Sequence, residues 1–393
     1  MPGMGKRSLI VFHRHGHRAP AHNVHKLGQA AEAEAALWRQ FLPSAAAFER
    51  LSTLHPISSH AGNPTPNDLQ SAPFGILTNK GMQHLESTGG GFYRHFKAHD
   101  VFRAARATLQ VHATNYQRTQ ASAQCFLVGI GAERGDNILA GSGGEETEGA
   151  RDKRVPVRVR DIAKCSMAFY EGRPQLAQAL LTRAQSTEGF LHMEARGEIK
   201  KATADMRLYL PGLTKGWPSD NGFNWMAAFD YFACRQAHNL GSNVFPQLAQ
   251  YEGLVRKHIC ARYGRYYSDP FHLAHFILPL LRDVQACVGS GGGGLHIYSC
   301  HDVNLLGLLY ALRALGSESG SALGPILGAN FPNLDAGYWP YYGTTITIDA
   351  GDDDLCIYLD QASEPICRLT RLQLGAAAQD MHRLIKESGE GYG

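Results

Sequence analysis

The sequence lacks the features that would place it in a membrane, on nucleic acid or around a structural metal. No stretch reaches the roughly 20 apolar residues of a membrane span. The longest candidate, residues 271–281, is interrupted by His272, His275 and Pro279. The apolar run after Lys6 and Arg7 covers only residues 9–12, against the roughly 7–15 of a signal peptide, so a cytoplasmic location is expected. A net charge of +3 is too small and dispersed to imply a nucleic-acid partner. The eight cysteines include no C-x-x-C pair and no zinc-finger spacing. Charged residues make up only 19% and apolar ones 44%, which is an ordinary globular balance. At 393 residues the chain can bury a large core in more than one domain.

Residues 8–13 form a nearly continuous apolar run, the pattern of a strand covered on both faces. Further strands are expected at 109–114, 155–159, 295–300 and 344–348, and helices at 30–48, 79–97 (capped by Thr78), 117–129, 303–315 (closed by Gly316) and 376–386. Residues 54–74 and 129–154 read as loops, and 162–288 as amphipathic helices without clear strands. Strands near both ends with a helical insert predict an α/β fold: a three-layer core with a mostly parallel central sheet flanked by helices, plus an inserted α-helical cap domain. The core would comprise residues 1–161 with 289–393, and the cap 162–288. A hairpin of 355–359 and 366–369 would set Cys356 opposite Cys367. Without an export signal, reduced thiols are the favoured state.

The chemistry begins at His13-Arg14-His15-Gly16-His17-Arg18-Ala19-Pro20, at the carboxyl end of the first strand. Ligands of open α/β sheets bind at that end. Arg14 and Arg18 are permanently charged forks that match phosphate oxygens. Gly16 would let the backbone approach a ligand. An imidazole between two arginines resists protonation, and a neutral imidazole is a nucleophile.

Arg14-His15-Gly16-x-Arg18-x-Pro20 resembles the R-H-G-x-R-x-P signature of the histidine acid phosphatases, branch 2 of the histidine phosphatase superfamily. Three further segments stand in the family's order: Gly75-Ile76-Leu77-Thr78-Asn79-Lys80-Gly81, Thr114 to Gly129 with Arg118, and Ser299-Cys300-His301-Asp302. The resemblance implies a metal-independent acid phosphatase, without cofactor, that hydrolyses a small phosphate monoester through a phosphohistidine. It implies His15 as nucleophile, Arg14, Arg18, Arg118 and His301 as phosphate ligands, and Asp302 as general acid and then base. His17 falls at a variable position and is given a pocket-wall role at most. Family substrates make a lysophospholipid, an inositol phosphate or a sugar phosphate the expected classes. Residues 339–343 match the family's late P-P-Y-A-S-like stretch only loosely, which leaves the far wall of the pocket undefined.

The residues leave two other readings open. On a regular strand His13, His15 and His17 would share one face and hold a metal, as in a metal-dependent hydrolase. Gly16 and the repulsion of a dication by three arginines stand against it. A catalytically inactive phospholigand-binding relative is the third reading. Trp217, Trp225, Phe229, Tyr231 and Phe232 are assigned to packing, with a substrate-facing wall as the alternative. Lys200, Lys201 and Lys215 are assigned to a solvated face, with contacts to further phosphates as the alternative. The glycine-rich run at 289–294 lacks the Lys-Ser/Thr of a P-loop and reads as a linker. His22, His25 and the other histidines are taken as surface or core residues.

Overall fold

The structure, a computed structural model, describes residues 7–25, 28–103, 108–135, 154–214, 222–241, 245–289, 293–317 and 326–387. Among the described residues nine strands make one sheet: β1 (Ser8–Arg14), β2 (Ile57–Ser59), β3 (Thr108–Ala113), β4 (Val157–Val159), β5 (Gly294–Cys300), β6 (Ile326–Leu327), β7 (Thr345–Ala350), β8 (Asp354–Leu359) and β9 (Cys367–Thr370). Their order is β2-β4-β3-β5-β1-β7-β8-β9-β6. The run from β2 to β1 is parallel, and every pairing from β7 outward is antiparallel.

Among the described residues, the longer helices that cover the sheet or frame the site include α1 (Asn79–Phe96), α2 (Gln117–Arg134), α3 (Trp225–Ala237), α4 (Glu252–Ser268), α5 (Pro270–Gly289), α6 (Asp302–Ser317) and α7 (Arg371–Glu387). Every residue of β1 is buried, because both faces of the sheet are covered. Leu9 and Val11 point into one apolar cluster with Leu85 of α1 and Phe126 of α2. Ile10 and Phe12 point the other way, into a cluster with Leu280 of α5, Leu305 of α6 and Ile385 of α7. Each such side chain, fully withdrawn from water, contributes about 2 kcal/mol. That second cluster continues without a break into helical residues between β4 and β5, such as Phe190, Trp225 and Tyr266.

Several expectations change in detail. Residues 30–48 are two helices, Gln29–Arg39 and Ala45–Leu54; Pro43 intervenes, and Ser44 caps the second by accepting from the Ala47 N–H. The loop at 54–74 contains β2 and a short helix, Asn67–Gln70. Gly316 does not end α6, which runs on to Ser317. The β8–β9 register pairs Cys356 with Arg368 and Ile357 with Cys367. Cys356 and Cys367 are therefore offset by one residue, which puts their side chains on opposite faces. All eight cysteines are free thiols. Residues 136–153 of the loop at 129–154 and 290–292 of the glycine-rich run lie outside the described residues, as do Lys215 and Trp217. Among the described residues no helix is long and apolar enough to cross a membrane.

Burial pushes the pKa of His13, His112 and His272 down to about 4. Each therefore stays neutral in the fold at pH values where the unfolded chain, with a histidine pKa near 6.5, already binds a proton. Their contribution is intact above pH 6.5 and is lost progressively as the pH falls toward 4. Urea titrations at pH 7 and pH 5 should show stability falling by roughly 1–2 kcal/mol per histidine. Replacing His112 with an apolar residue of similar size should flatten that slope.

Candidate active site

β3, β5 and β1 are adjacent and parallel, so their carboxyl ends open side by side. Register brings Arg14 beside Cys300, and Ala113 beside Ser299. The residues just beyond each strand are thereby gathered: His15 after β1, His301-Asp302 after β5, and Thr114 with Arg118 after β3. The His15 N–H donates to the Cys300 carbonyl at 3.0 Å, holding the first two ends together. A cavity of about 290 Å³ opens there, lined by His15, Arg18, Arg118, His301 and Asp302 among others.

His15 is 2% exposed. Its Nδ1 lies 2.9 Å from the Gly16 carbonyl. A carbonyl only accepts, so Nδ1 carries the proton and Nε2 keeps its lone pair. Burial, then Arg18, Arg118, Arg14 and His301 in that order, hold the pKa of His15 well below its ordinary value. His301 sits 5.5 Å from His15 between ring centroids, its Nε2 3.0 Å from Thr114 Oγ1. Burial and the same three arginines hold its pKa well below the ordinary value too.

Each arginine has a carboxylate partner. Arg18 makes a two-pronged pair with Asp230 of α3 at 2.7 and 3.0 Å. Asp230 also accepts from the Ala21 N–H, so α3 grips the motif loop at two points. Arg118 lies 3.3 Å from Asp68, whose carboxylate also accepts from the Gln117 and Arg118 N–H groups at the start of α2. Arg14 pairs with Asp302 at 2.7 Å, donates to the Pro340 carbonyl and stacks over Tyr342. Both oxygens of Asp302 accept further bonds, one from Trp339 Nε1 and the other from the Val303 N–H. The Nε–H groups of Arg14, Arg18 and Arg118 are buried and have no partner among the described residues.

The structure thus brings together His15, Arg18, Arg118, His301 and Asp302. Arg14 touches Asp302 but lines a different cavity, of about 730 Å³, which shares Phe229 with the first. His17 lines that second cavity, against His84 and Tyr342. The shared face that a regular strand would give His13, His15 and His17 does not form, because β1 ends at Arg14. His13 stacks on Phe126 instead, and no three His, Cys, Asp or Glu side chains among the described residues are placed to hold a metal. Gly16 meets protein and not an open ligand space: a Cβ there would stand 2.6 Å from the Gly81 carbonyl oxygen.

Sequence reasoning missed Asp230, Asp68 and His22. Asp230 carried a signal, a lone acid in the aromatic run Phe229-Asp230-Tyr231-Phe232, where a buried carboxylate requires a cation. Asp68 lies in a polar stretch that gives no such hint. His22, taken for a surface or core residue, lines the first cavity, as does Phe229 of the aromatic group. Trp225, Tyr231 and Phe232 are packed in the core. Lys200 is exposed, and Lys201 pairs with Asp205.

A family model described as histidine phosphatase superfamily (branch 2) matches residues 7–215. No curated protein matches the chain. Solved structures do. A phytase from Citrobacter braakii is 13% identical, with 96% of this chain and 98% of that chain covered and a TM-score of 0.51. A Bifidobacterium longum multiple inositol polyphosphate phosphatase in complex with inositol hexasulfate is 14% identical, covering 92% and 87%, at 0.52. A Hafnia alvei phytase in complex with myo-inositol hexakis sulphate is 14% identical, covering 97% and 98%, at 0.51. At such identities the likeness is one of fold.

The Arg18–Asp230 pair can be tested apart from turnover. Asp230→Asn leaves a buried guanidinium without its counter-charge, and should cost about 3 kcal/mol in urea unfolding. Inorganic phosphate should stabilise this variant more than the parent, because the anion supplies the missing charge. An unchanged unfolding midpoint would show that the pair carries no weight.

Proposed function

The chain belongs to branch 2 of the histidine phosphatase superfamily and is a phosphoric monoester hydrolase, and from that premise we propose that it works through a phosphohistidine on His15. The observation that carries this reading is the tautomer of His15: Nδ1–H is tied to the Gly16 carbonyl, which leaves an unprotonated Nε2 in a cavity with Arg18, Arg118 and His301.

The substrate phosphoryl group sits against Arg18, Arg118 and His301, which neutralise charge as it transfers. Arg14 joins them by turning from Asp302, and so frees an Asp302 oxygen to hold a proton. His15 Nε2 forms a bond to phosphorus as the phosphorus–oxygen ester bond breaks. The leaving oxygen takes the proton of Asp302 and departs as an alcohol. Water then attacks the phosphoryl group, gives a proton to the Asp302 carboxylate, and breaks the nitrogen–phosphorus bond. Inorganic phosphate leaves and His15 is restored. Two similar solved structures hold an inositol hexasulfate, which makes inositol phosphates a candidate class beside lysophospholipids and sugar phosphates.

Acid-labile, base-stable radiolabel should appear on the enzyme after rapid quenching with a labelled ester in EDTA, and should vanish in His15→Ala. Asp302→Asn should slow an alkyl phosphate about 10²–10⁴-fold. It should slow a nitrophenyl phosphate far less, since that leaving oxygen needs no proton. Label persisting in His15→Ala would overturn the assignment.

A further inference from the structure

The charge balance of the whole cavity bears on what the alcohol can carry. Two arginines line the cavity, Arg18 and Arg118, against four carboxylates, Asp68, Glu171, Asp230 and Asp302. Both arginines are already paired. Counting Arg14, which pairs with Asp302, still leaves acids in excess. No lysine lines the cavity among the described residues. Glu171 is exposed and accepts from the Tyr116 hydroxyl at 2.9 Å, so a carboxylate stands beside the aromatic ring that covers Arg118. The rest of the lining carries no fixed charge: Met167, Met226, Phe229 and Val303 supply an apolar stretch, beside the polar His22, Ser71 and Asn224.

From this we infer that the substrate is a small phosphate monoester whose alcohol bears no second phosphate or carboxylate, with its carbon skeleton against Met167, Met226 and Phe229. The inference rests on the phosphomonoesterase reading and narrows it. Each added phosphate would bring about −1.5 to −2 charge into a space where the described residues offer no unpaired arginine or lysine. Burying such a charge unpaired is costly, and next to Glu171 it is repelled as well. The volume of about 290 Å³ points the same way, since it lies at the lower edge of the roughly 300–1,000 Å³ typical of ligand pockets. Methionine side chains adapt to the shape of an aliphatic or aryl alcohol without demanding polar partners. Inositol polyphosphates, on this view, are not substrates, although proteins of the same fold bind their sulfate analogues.

The test compares kcat/KM for phenyl phosphate, glycerol 2-phosphate and inositol hexakisphosphate, and measures by calorimetry the binding of inorganic phosphate and of myo-inositol hexasulfate. The simple esters should exceed the hexakisphosphate by about 100-fold or more, and the hexasulfate should bind more weakly than phosphate. Glu171→Lys should raise the hexakisphosphate rate about tenfold relative to phenyl phosphate, with Glu171→Gln intermediate. A hexakisphosphate preference in the parent, or hexasulfate binding tighter than phosphate, overturns the inference. Should no ester be hydrolysed, the phosphomonoesterase reading fails by itself, and the two binding constants still decide the charge argument.

Discussion

Three guanidinium groups crowd one buried imidazole, and the chain must compensate that charge to fold at all. Arg14, Arg18 and Arg118 are 4%, 7% and 8% exposed. Like charges so placed repel by kcal/mol amounts even at an effective dielectric near 20. The compensating acids come from three separate places: Asp302 opens α6, Asp230 lies in α3, and Asp68 lies in the short helix Asn67–Gln70. Each pair therefore ties a distant element to the carboxyl ends of the strands. The helix α3 is held to the motif loop by Asp230, which is bonded to both Arg18 and the Ala21 N–H. Breaking any one pair would strand a buried charge, which costs more than the pair itself contributes.

Much of this was legible in the sequence, for a physical reason. Arginines and histidines placed where apolar runs stop are readable because a strand end in an open α/β sheet is where chemistry is done. Arg14, His15 and Arg18 were singled out that way, whereas Arg118, His301 and Asp302 were implied by the resemblance to the histidine acid phosphatases, whose motifs lie hundreds of residues apart. The acids that balance the arginines were not, since a carboxylate has no local pattern that announces its partner. Asp230 was hidden inside an aromatic run read for packing. Register was equally illegible: a slip of one residue separates Cys356 from Cys367, and nothing within either strand fixes it. Gly16 was read as making room for a ligand, whereas it makes room for the first turn of α1. There Gly81 in turn lacks a Cβ that would strike the His17 carbonyl. Two glycines so interlocked set how closely the motif loop lies on α1.

The electrostatics that hold the pKa of His15 down also shape the response to acid. Burial and its cationic neighbours keep it neutral. Histidines elsewhere, among them His13 under Phe126 and His112 against Tyr298, are buried and neutral as well. They make the fold lose stability as the pH falls, because the unfolded chain takes up the protons that the buried rings refuse.

The proposed reaction nevertheless requires a proton in the site. The three arginines and their three acids are together close to neutral. A phosphate ester entering as a dianion would leave the site with an excess of about two negative charges. Low dielectric surroundings penalise that excess, so the ester should bring a proton with it or draw one in. Asp302 is the place for it, because recruiting Arg14 to the phosphoryl group removes the cation that Asp302 faces. Binding and arming of the general acid then become one event, driven by the same charge balance that excludes a second phosphate. The working range is bounded below by the buried histidines of the fold and above by the supply of that proton.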